Sequence, residues 1–382
     1  MRICFISDSY PTLPVFGGIS AYTRTTAQGL VARGHEVHVL VGRVGEQTDF
    51  ADGAVHVHVR AIRWLPVVAK WLPGLGESWG IWRALQQLHR QFRFDIVEFP
   101  NWEGIGLVST LLKPIPSVVR LHTSTADGIR VTGRAPTVAE RFTIWAERTS
   151  ARCADTTVTH SCSHRENMRT ACELNNIRVI PHGIPIPPLM RLPATQRQAI
   201  LTVGPLNPRK GAAILLASIP IVLSQVPDAE FWIVGTDQNR QLETEFRKGH
   251  PHIAEKQVQF LGSLSHQQLA ERYSTCALYV SAAVYESFGL TFVEAMAHGK
   301  SVVACNISAM PEIIRHGQTG LLVPPHDPQA FADAIVRLLK SPELRQRLGT
   351  EGRRVAQEQF SADCMAKNIE QLFLDTVRQV KG

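Results

Sequence analysis

Several common signatures are missing from this 382-residue sequence, and each absence excludes a class of protein. No run of about eighteen apolar residues occurs, so the sequence predicts no membrane-spanning helix. Residues 1–7 enter an apolar strand directly, without a basic segment, a long apolar core and a cleavage site, so we expect no signal peptide. The seven cysteines show neither CxxC spacing nor a disulfide framework. We therefore expect free thiols in a reducing cytoplasm.

Two ligand-binding signatures are also missing. Gly17-Gly18 follows the first predicted strand, but the GxGxxG spacing of a dinucleotide-binding loop is absent. No Asp-x-Asp occurs anywhere in the chain. The sequence therefore lacks the patterns of a dinucleotide cofactor site and of a carboxylate-bound metal, and we expect neither group.

The most informative stretch that is present is residues 277–304, which predicts a strand, a charged turn, a helix and a second strand. Gly289 predicts a tight turn before a helix at residues 290–297, and Gly299 ends that helix. The whole stretch is therefore predicted to be a βαβ unit, with Glu286 on its loop and Glu294 on its helix.

These two glutamates flank a helix N-terminus, whose free amides favour an anion. The two carboxylates repel an anion, so we expect a ligand that carries both an anionic group and hydroxyl groups. In a nucleoside-diphosphate sugar, a phosphate accepts hydrogen bonds from the amides of residues 288–291, while ribose and sugar hydroxyls donate to the carboxylates. The alternative is that the glutamates only cap the helix.

This motif resembles the E-x7-E signature of the retaining glycosyltransferases of family GT4, which adopt the GT-B fold. The resemblance implies two doubly wound, Rossmann-like α/β domains that face each other across a cleft. It also implies that Glu286 contacts the transferred sugar and Glu294 the nucleotide ribose. The residues expected at the donor site between these two are Ser287, Phe288, Gly289, Leu290 and Thr291.

The N-terminal residues predict a second βαβ unit, with strands at residues 2–7 and 35–41. Its glycine pair, Gly17-Gly18, permits close backbone approach to a phosphate, and the resemblance implies that this loop faces the donor diphosphate. His122 follows another buried strand, at the predicted carboxyl edge of the sheet. The resemblance supports His122 as a residue that orients the substrate.

The acceptor site is predicted at the exit of the strand at residues 95–99. Glu98, Asn101 and Trp102 are expected on a loop there, together with His122. A nearby segment carries four tryptophans among cations: Trp64, Trp71, Trp79 and Trp82. These suit a membrane interface or a lipid-linked acceptor, or else a broken helical segment that covers the domain core. The five arginines within residues 130–152 indicate either a solvated face or an anionic acceptor site.

A proline-rich linker at residues 181–188 predicts the domain boundary. We expect an N-terminal domain at residues 1–186, a C-terminal domain at residues 187–360, and, from the resemblance, a last helix (361–382) that packs back on the first domain. Residues 1–188 carry 20 Lys and Arg against 15 Asp and Glu, and the rest of the chain carries 20 against 18. This surplus fits an anionic acceptor or peripheral membrane contact through the N-terminal domain.

A pair of cations, Arg209-Lys210, follows the first strand of the second domain. They can neutralise a diphosphate leaving group, on which negative charge grows in the transition state. GT4 proteins usually carry an arginine at the position of Pro205, so either Arg209 substitutes for it here or the phosphate site is weakened. We expect these cations and the helix amides to do the work of a metal.

Together with the resemblance, the sequence predicts a metal-independent GT4 glycosyltransferase with catalytic roles for Glu286, His122, Lys210 and Arg209, and the resemblance implies retention at the anomeric carbon. The donor is expected to be a UDP- or GDP-sugar, and the resemblance implies that the backbone at Leu261 and Gly262 holds its base. The acceptor is expected to be a glycan, a lipid-linked molecule or a small molecule, and not a nucleic acid. Two alternatives stay open: a GT-B nucleotide-sugar epimerase, and a non-catalytic nucleotide-sugar-binding protein, which Pro205 motivates.

Overall fold

The computed structural model describes residues 1–11, 17–43, 47–61, 74–188 and 198–382. Two compact units share the chain. The first unit contains Met1–Pro185 together with Ala362–Gly382, and the second unit contains Ile186–Ser361. Trp64 and Trp71 lie outside the described residues.

Among the described residues, the first unit contains an eight-stranded sheet in the order β3-β4-β2-β1-β5-β6-β7-β8. Its strands are β1 (Arg2–Ser7), β2 (Glu36–Arg43), β3 (Thr48–Asp52), β4 (Val55–Ala61), β5 (Ile96–Pro100), β6 (Ser117–Arg120), β7 (Thr156–Thr159) and β8 (Ile177–Val179). All neighbouring strands are parallel except β3 and β4, which are antiparallel. The central strands β1 and β5 are buried along nearly their whole length, as in a parallel sheet that helices cover on both faces.

Six α-helices accompany these strands within the described part of residues 1–185. They are α1 (Gly18–Ala32), α2 (Leu75–Phe92), α3 (Leu107–Leu112), α4 (Thr125–Thr132), α5 (Val138–Cys153) and α6 (Cys162–Cys172). Helix α1 begins at Gly18, with Gly17 as its N-cap. The Ser20 hydroxyl accepts a hydrogen bond from the Gly17 N–H and donates one to the Gly17 carbonyl, each over 2.9 Å.

The second unit contains a six-stranded, fully parallel sheet in the order β11-β10-β9-β12-β13-β14, as far as the described residues extend. Its strands are β9 (Gln198–Val203), β10 (Ala229–Val234), β11 (Val258–Gly262), β12 (Leu278–Ser281), β13 (Ser301–Cys305) and β14 (Gly320–Val323). Its helices are α7 (Ala212–Gln225), α8 (Gln241–Gly249), α9 (His266–Thr275), α10 (Leu290–Ala297), α11 (Met310–Ile313), α12 (Pro328–Lys340) and α13 (Pro342–Gln359). The prediction of a helix at residues 290–297 is confirmed by α10.

The last helix, α14 (Ala362–Lys381), belongs to the first unit. Its residues Met365, Ile369 and Phe373 are buried in the cluster that contains Phe5 of β1. The Phe373 and Phe5 ring centroids lie 6.0 Å apart. Burial of these side chains is the main favourable term that holds α14 to the sheet. In the part of the chain that the structure describes, no helix has the length and apolar character needed to cross a bilayer.

Candidate active site

The loops after β9 and β12 meet at the point where the strand order of the second sheet reverses. From β9 the chain proceeds to β10 and β11 on one side, and from β12 to β13 and β14 on the other. Ligands of open α/β sheets bind at such a switch point, outside the carboxyl ends of the strands. Arg209 and Lys210 follow β9 and Glu286 follows β12, so the topology brings together residues that two separate motifs carry.

Lys210 and Glu286 form an ion pair at this point. The Lys210 Nζ donates to Oε1 of Glu286, and the Arg209 guanidinium lies 3.8 Å from Oε2. The Lys210 side chain is 16% exposed and the Glu286 side chain 9%. Partial burial strengthens this attraction relative to a surface pair. An anion that binds Lys210 therefore competes with the Glu286 carboxylate.

The backbone fixes the position of Lys210. It ends a short 3-10 helix whose N-cap is Asn207, and the Asn207 Oδ1 accepts a hydrogen bond of 2.9 Å from the Lys210 N–H. The next residue, Gly211, has φ +68°, and a Cβ there would lie 1.9 Å from the Ala282 carbonyl oxygen. Only glycine allows this approach, which packs the loop after β9 directly on the loop after β12.

The loop that carries Glu286 is held at both ends by backbone hydrogen bonds. The Val284 N–H donates to the Arg209 carbonyl over 3.0 Å, and the Ala309 N–H donates to the Glu286 carbonyl over 3.3 Å. These bonds tie the carboxylate to the same frame as the cations, so the pair is preorganised.

Helix α10 starts beside this pair. Gly289 at its N-cap has φ +98°, and a Cβ there would lie 2.6 Å from the Met310 Cε. The Phe288 ring is buried and packs edge-on against Phe360, with ring centroids 5.8 Å apart. Phe288 is therefore an anchor of the turn, whereas Ser287, Leu290 and Thr291 are half-buried.

Glu294 lies just over one turn along α10, and its Oε2 accepts a hydrogen bond of 2.9 Å from the Tyr273 hydroxyl. Burial raises the pKa of Glu294 above its usual range, and the Tyr273 hydrogen bond partly opposes that rise. The Tyr279 hydroxyl donates to the Thr291 Oγ1 over 2.7 Å. Burial raises the pKa of Tyr279, and the charges of Glu286 and Glu294 raise it further. The negative charges of both glutamates therefore affect the pKa of the same tyrosine, Tyr279.

Leu261 and Gly262 lie at the end of β11, which β10 separates from β9. The Gly262 carbonyl accepts a hydrogen bond of 2.8 Å from the Gly235 N–H. Leu261 is half-buried and Gly262 is exposed. These residues share the carboxyl edge of the sheet with Lys210, at the side of the switch point where β9 continues to β11.

In the first unit, three buried histidines follow three consecutive strands: His122 follows β6, His160 follows β7 and His182 follows β8. The His122 and His182 rings are 5.8 Å apart with planes at 14°, and the His160 and His182 rings are 4.7 Å apart at 21°. The sequence prediction found His122 and missed the other two, although each shares the signal of a histidine just after a strand.

The pKa of His122 is lowered to about 3, mainly by burial and further by the charges of Arg120 and His164. Burial also holds the pKa values of His160 and His182 well below the usual range. All three rings are therefore neutral at pH 7. A neutral imidazole presents one donor and one acceptor to a ligand, whereas an imidazolium presents two donors.

Among the described residues, the same three histidines form a group whose possible ligand atoms all lie within 4.8 Å of one another. A metal ion lies near the plane of each imidazole that binds it, about 2.0–2.1 Å from the nitrogen. Stacked, nearly parallel rings direct their lone pairs along separate planes. As arranged, the side chains form a stack rather than a coordination sphere.

Beneath the stack, Glu98 and Arg120 form a buried ion pair. Glu98 lies inside β5 and is 2% exposed, so the prediction that it lies on the loop after this strand is wrong. Its Oε1 accepts from the Tyr22 hydroxyl over 2.7 Å and from the Arg120 Nε over 3.2 Å. The Arg120 guanidinium also lies 4.4 Å from the Tyr22 ring centroid.

Asn101 supports His122 through two hydrogen bonds. Its Oδ1 accepts from the His122 N–H over 2.7 Å, and its Nδ2 donates to the His122 carbonyl over 3.3 Å. The side chain of Asn101 is thus engaged in holding the loop, which the prediction of an acceptor contact did not anticipate. Trp102 is 37% exposed in a short 3-10 helix. Gly17 and Gly18 lie at the start of α1, and a Cβ on either would meet no described atom within 4 Å.

Two family models match this chain. "Glyco_transf_4: Glycosyltransferase Family 4" matches residues 16–186 and "Glycosyl transferases group 1" matches residues 191–355. A "Phosphatidyl-myo-inositol mannosyltransferase" of Mycobacterium leprae is 28% identical over 68% of this chain and 68% of its own length. A "Glycogen synthase" of Mycobacterium tuberculosis is 26% identical over 99% of this chain and 95% of its own length.

The structure of the Anabaena protein Alr3699/HepE, solved in complex with UDP and glucose, resembles this fold with a TM-score of 0.73. The two chains are 21% identical, and the match covers 98% of this chain and 100% of the other. The predicted GT-B fold, with two doubly wound α/β sheets, is confirmed. Because the two family models together span nearly the whole chain, the protein belongs to the GT4 family and is a glycosyltransferase.

Proposed function

We propose that this protein transfers a sugar from a nucleoside-diphosphate sugar to an acceptor hydroxyl, without a metal ion and with retention of configuration at the anomeric carbon. The observation that carries the proposal is the Lys210–Glu286 ion pair at the switch point of the second sheet, with Glu294 further along the adjoining helix. It combines a cation for a phosphate with carboxylates for hydroxyl groups.

When the donor binds, its groups replace the contact between Lys210 and Glu286. Its diphosphate takes Lys210 and Arg209, and the released Glu286 carboxylate accepts hydrogen bonds from hydroxyls of the sugar. The amides at the start of α10 add a partial positive charge on the phosphate side. Glu294, oriented by the Tyr273 hydroxyl, accepts from the ribose. Leu261 and Gly262 hold the base through their backbone.

Chemistry then proceeds by loss of the diphosphate. As the anomeric C–O bond breaks, positive charge develops on the sugar and negative charge on the leaving oxygen, which Lys210 and Arg209 stabilise. The acceptor hydroxyl attacks the same face, and its proton passes to the leaving phosphate. No protein base is required, which agrees with the neutral, low-pKa state of His122. His122 orients the substrate by hydrogen bonding.

The donor base and the acceptor are matters for experiment. The structure of the Anabaena protein was solved in complex with UDP and glucose. This supports a UDP-sugar as the first candidate donor, and we keep a GDP-sugar as the second. The named relatives act on different acceptors, an inositol phospholipid and glycogen. A glycan, a lipid-linked molecule or a small molecule therefore all belong in the first screen, and the basic first unit is proposed to contact a membrane peripherally. No comparison favours the epimerase alternative.

The test begins with a thermal-shift screen of UDP-, GDP- and ADP-sugars. The sugar that stabilises the protein is then incubated with an acceptor panel in excess EDTA, and the anomeric configuration of the product is read by NMR. We expect one donor to be bound and its sugar to be transferred with retention. A donor that binds but is neither transferred nor hydrolysed with any acceptor would instead establish a nucleotide-sugar-binding protein, and an epimerised donor would establish the epimerase.

A further inference from the structure

An apolar stripe with bordering cations lies on the outer side of α5. None of its residues belongs to the Lys210–Glu286 site or to the histidine stack. Val138 is 81% exposed and Trp145 is 51% exposed, and Phe142 lies between them on the same helix face. The Phe142 and Trp145 ring centroids are 5.4 Å apart, so the two rings form one apolar surface. Phe142 is half-buried. A contiguous exposed apolar patch marks an interaction site, whereas single exposed apolar residues need no explanation.

The inner side of α5 is fully used, which fixes the direction that the stripe faces. Ala146, Glu147, Ser150 and Ala151 are buried against the rest of the first unit. The Glu147 carboxylate accepts from the Thr125 hydroxyl over 2.7 Å and thereby ties α5 to the start of α4. The helix cannot rotate the stripe inward without breaking these contacts.

Two arginines border the stripe along one side. Arg141 is exposed and Arg148 half-exposed, and they lie seven positions apart, on the side of the helix next to Trp145. The acids of α5 do not offset these charges, since Glu147 is buried and Glu140 pairs with Arg134. We define the α5 surface as Val138, Arg141, Phe142, Trp145 and Arg148.

We propose that the α5 surface docks the first unit onto an anionic membrane. Phe142 and Trp145 enter the boundary between headgroups and acyl chains, while Arg141 and Arg148 contact lipid phosphates. A helix with aromatic residues on one face and flanking arginines has the composition of an interfacial anchor, and the arginines supply the charge complementarity. The surface also lies on the unit that carries the basic surplus of the chain.

This inference goes beyond the transfer reaction and does not depend on it, because the α5 surface shares no residue with the proposed donor site. The two fail separately. Loss of vesicle binding with normal transfer to a water-soluble acceptor concerns α5 alone, and loss of donor binding with normal vesicle binding concerns the second unit alone.

The test is co-sedimentation of the full chain with vesicles of phosphatidylcholine, and with vesicles of an equal mixture of phosphatidylcholine and phosphatidylglycerol. We expect binding to the mixed vesicles only, and weaker binding as salt is raised, since salt screens the arginine contacts. Phe142→Ser/Trp145→Ser and Arg141→Gln/Arg148→Gln should each reduce the affinity about tenfold or more. The matched control is Leu111→Ser/Leu112→Ser, which removes two leucines 52% and 57% exposed on α3 and should leave the affinity unchanged.

Thermal unfolding of every variant establishes that it is folded. The proposal is overturned if the wild-type protein does not bind anionic vesicles, if both α5 variants bind like wild type, or if Leu111→Ser/Leu112→Ser weakens binding as much as they do. Sedimentation velocity without lipid provides a further arm. A wild-type dimer that both α5 variants convert to monomer would make a second copy of this chain the occupant, and would also overturn the membrane proposal.

Discussion

Replacement of Lys210 by alanine separates binding from catalysis at the donor site. In the free protein the Lys210 ammonium already interacts with the Glu286 carboxylate, so a ground-state phosphate gains Lys210 only by displacing that partner. The gain on donor binding is therefore small. In the transition state the leaving diphosphate gains negative charge, so its attraction to Lys210 becomes stronger. The contact with Glu286 has already been lost on donor binding, so this gain is not offset.

We expect Lys210→Ala to lower kcat by roughly 10²- to 10³-fold, the range found when one preorganised donor to a developing anion is removed. The dissociation constant of the donor should rise by only about threefold, because Arg209 and the α10 amides still contact the phosphates. The free energy of unfolding should fall by about 1–3 kcal/mol, since Glu286 keeps only the Arg209 guanidinium at 3.8 Å.

The assay combines steady-state kinetics, donor binding by calorimetry and urea denaturation. Lys248→Ala, at an exposed lysine of the same unit, is the matched control and should behave as wild type. The double variant Lys210→Met/Glu286→Gln removes both charges, so it should regain stability and stay inactive. A Lys210→Ala enzyme with wild-type kcat and a raised KM would show that Lys210 only binds, and the argument from partner exchange would be refuted.

Three further outcomes follow from the same site. Transfer should persist in excess EDTA, because Arg209 and Lys210 replace a metal; complete loss that Mg²⁺ or Mn²⁺ restores would contradict this. Glu294→Ala should weaken donor binding by about 1.5–3 kcal/mol through lost charge-assisted hydrogen bonds, and unchanged nucleotide affinity in calorimetry would exclude the ribose role. Tyr273→Phe should weaken donor binding less than Glu294→Ala does, because it only frees the Glu294 carboxylate to rotate; an equal or larger loss would make Tyr273 a direct ligand.

The fold of the second unit could be predicted well because its signals are local. Gly289 needs φ +98° for the turn, and the apolar run after it has helical spacing, so the bounds of α10 are those predicted. The contact between Lys210 and Glu286 is different, since 75 residues separate them along the chain and only the adjacency of β9 and β12 joins them. The family resemblance assigned both residues to the donor site but did not predict their contact, and no local pattern could.

The first unit shows why polar residues near strand ends are harder to interpret. Glu98 and Asn101 have the sequence appearance of ligand contacts, yet one is buried with Arg120 and Tyr22 and the other holds the His122 backbone. Burial of a charge depends on a partner from another strand, and a sequence without a known strand order does not identify that partner. The stack of His122 on His182 has the same origin, because it requires parallel strands that end at one edge.

That stack makes the stability of the first unit depend on pH. Because the pKa of His122 is lowered in the folded chain, the stability should fall as the pH falls. The pKa of His122 is about 3 in the folded chain and about 6.5 when unfolded, so the unfolded state binds more protons between these values. Its stabilising effect is complete above pH 6.5 and is lost as the pH falls towards 3. From pH 8 to pH 5 this histidine alone should remove about 2 kcal/mol from the free energy of unfolding. Urea denaturation of wild type and His122→Gln at both values measures the difference, with the exposed His252→Gln as control. If wild type and His122→Gln lose the same stability between pH 8 and pH 5, then His122 is not held neutral by its surroundings, and the assignment of a neutral imidazole to substrate orientation falls with it.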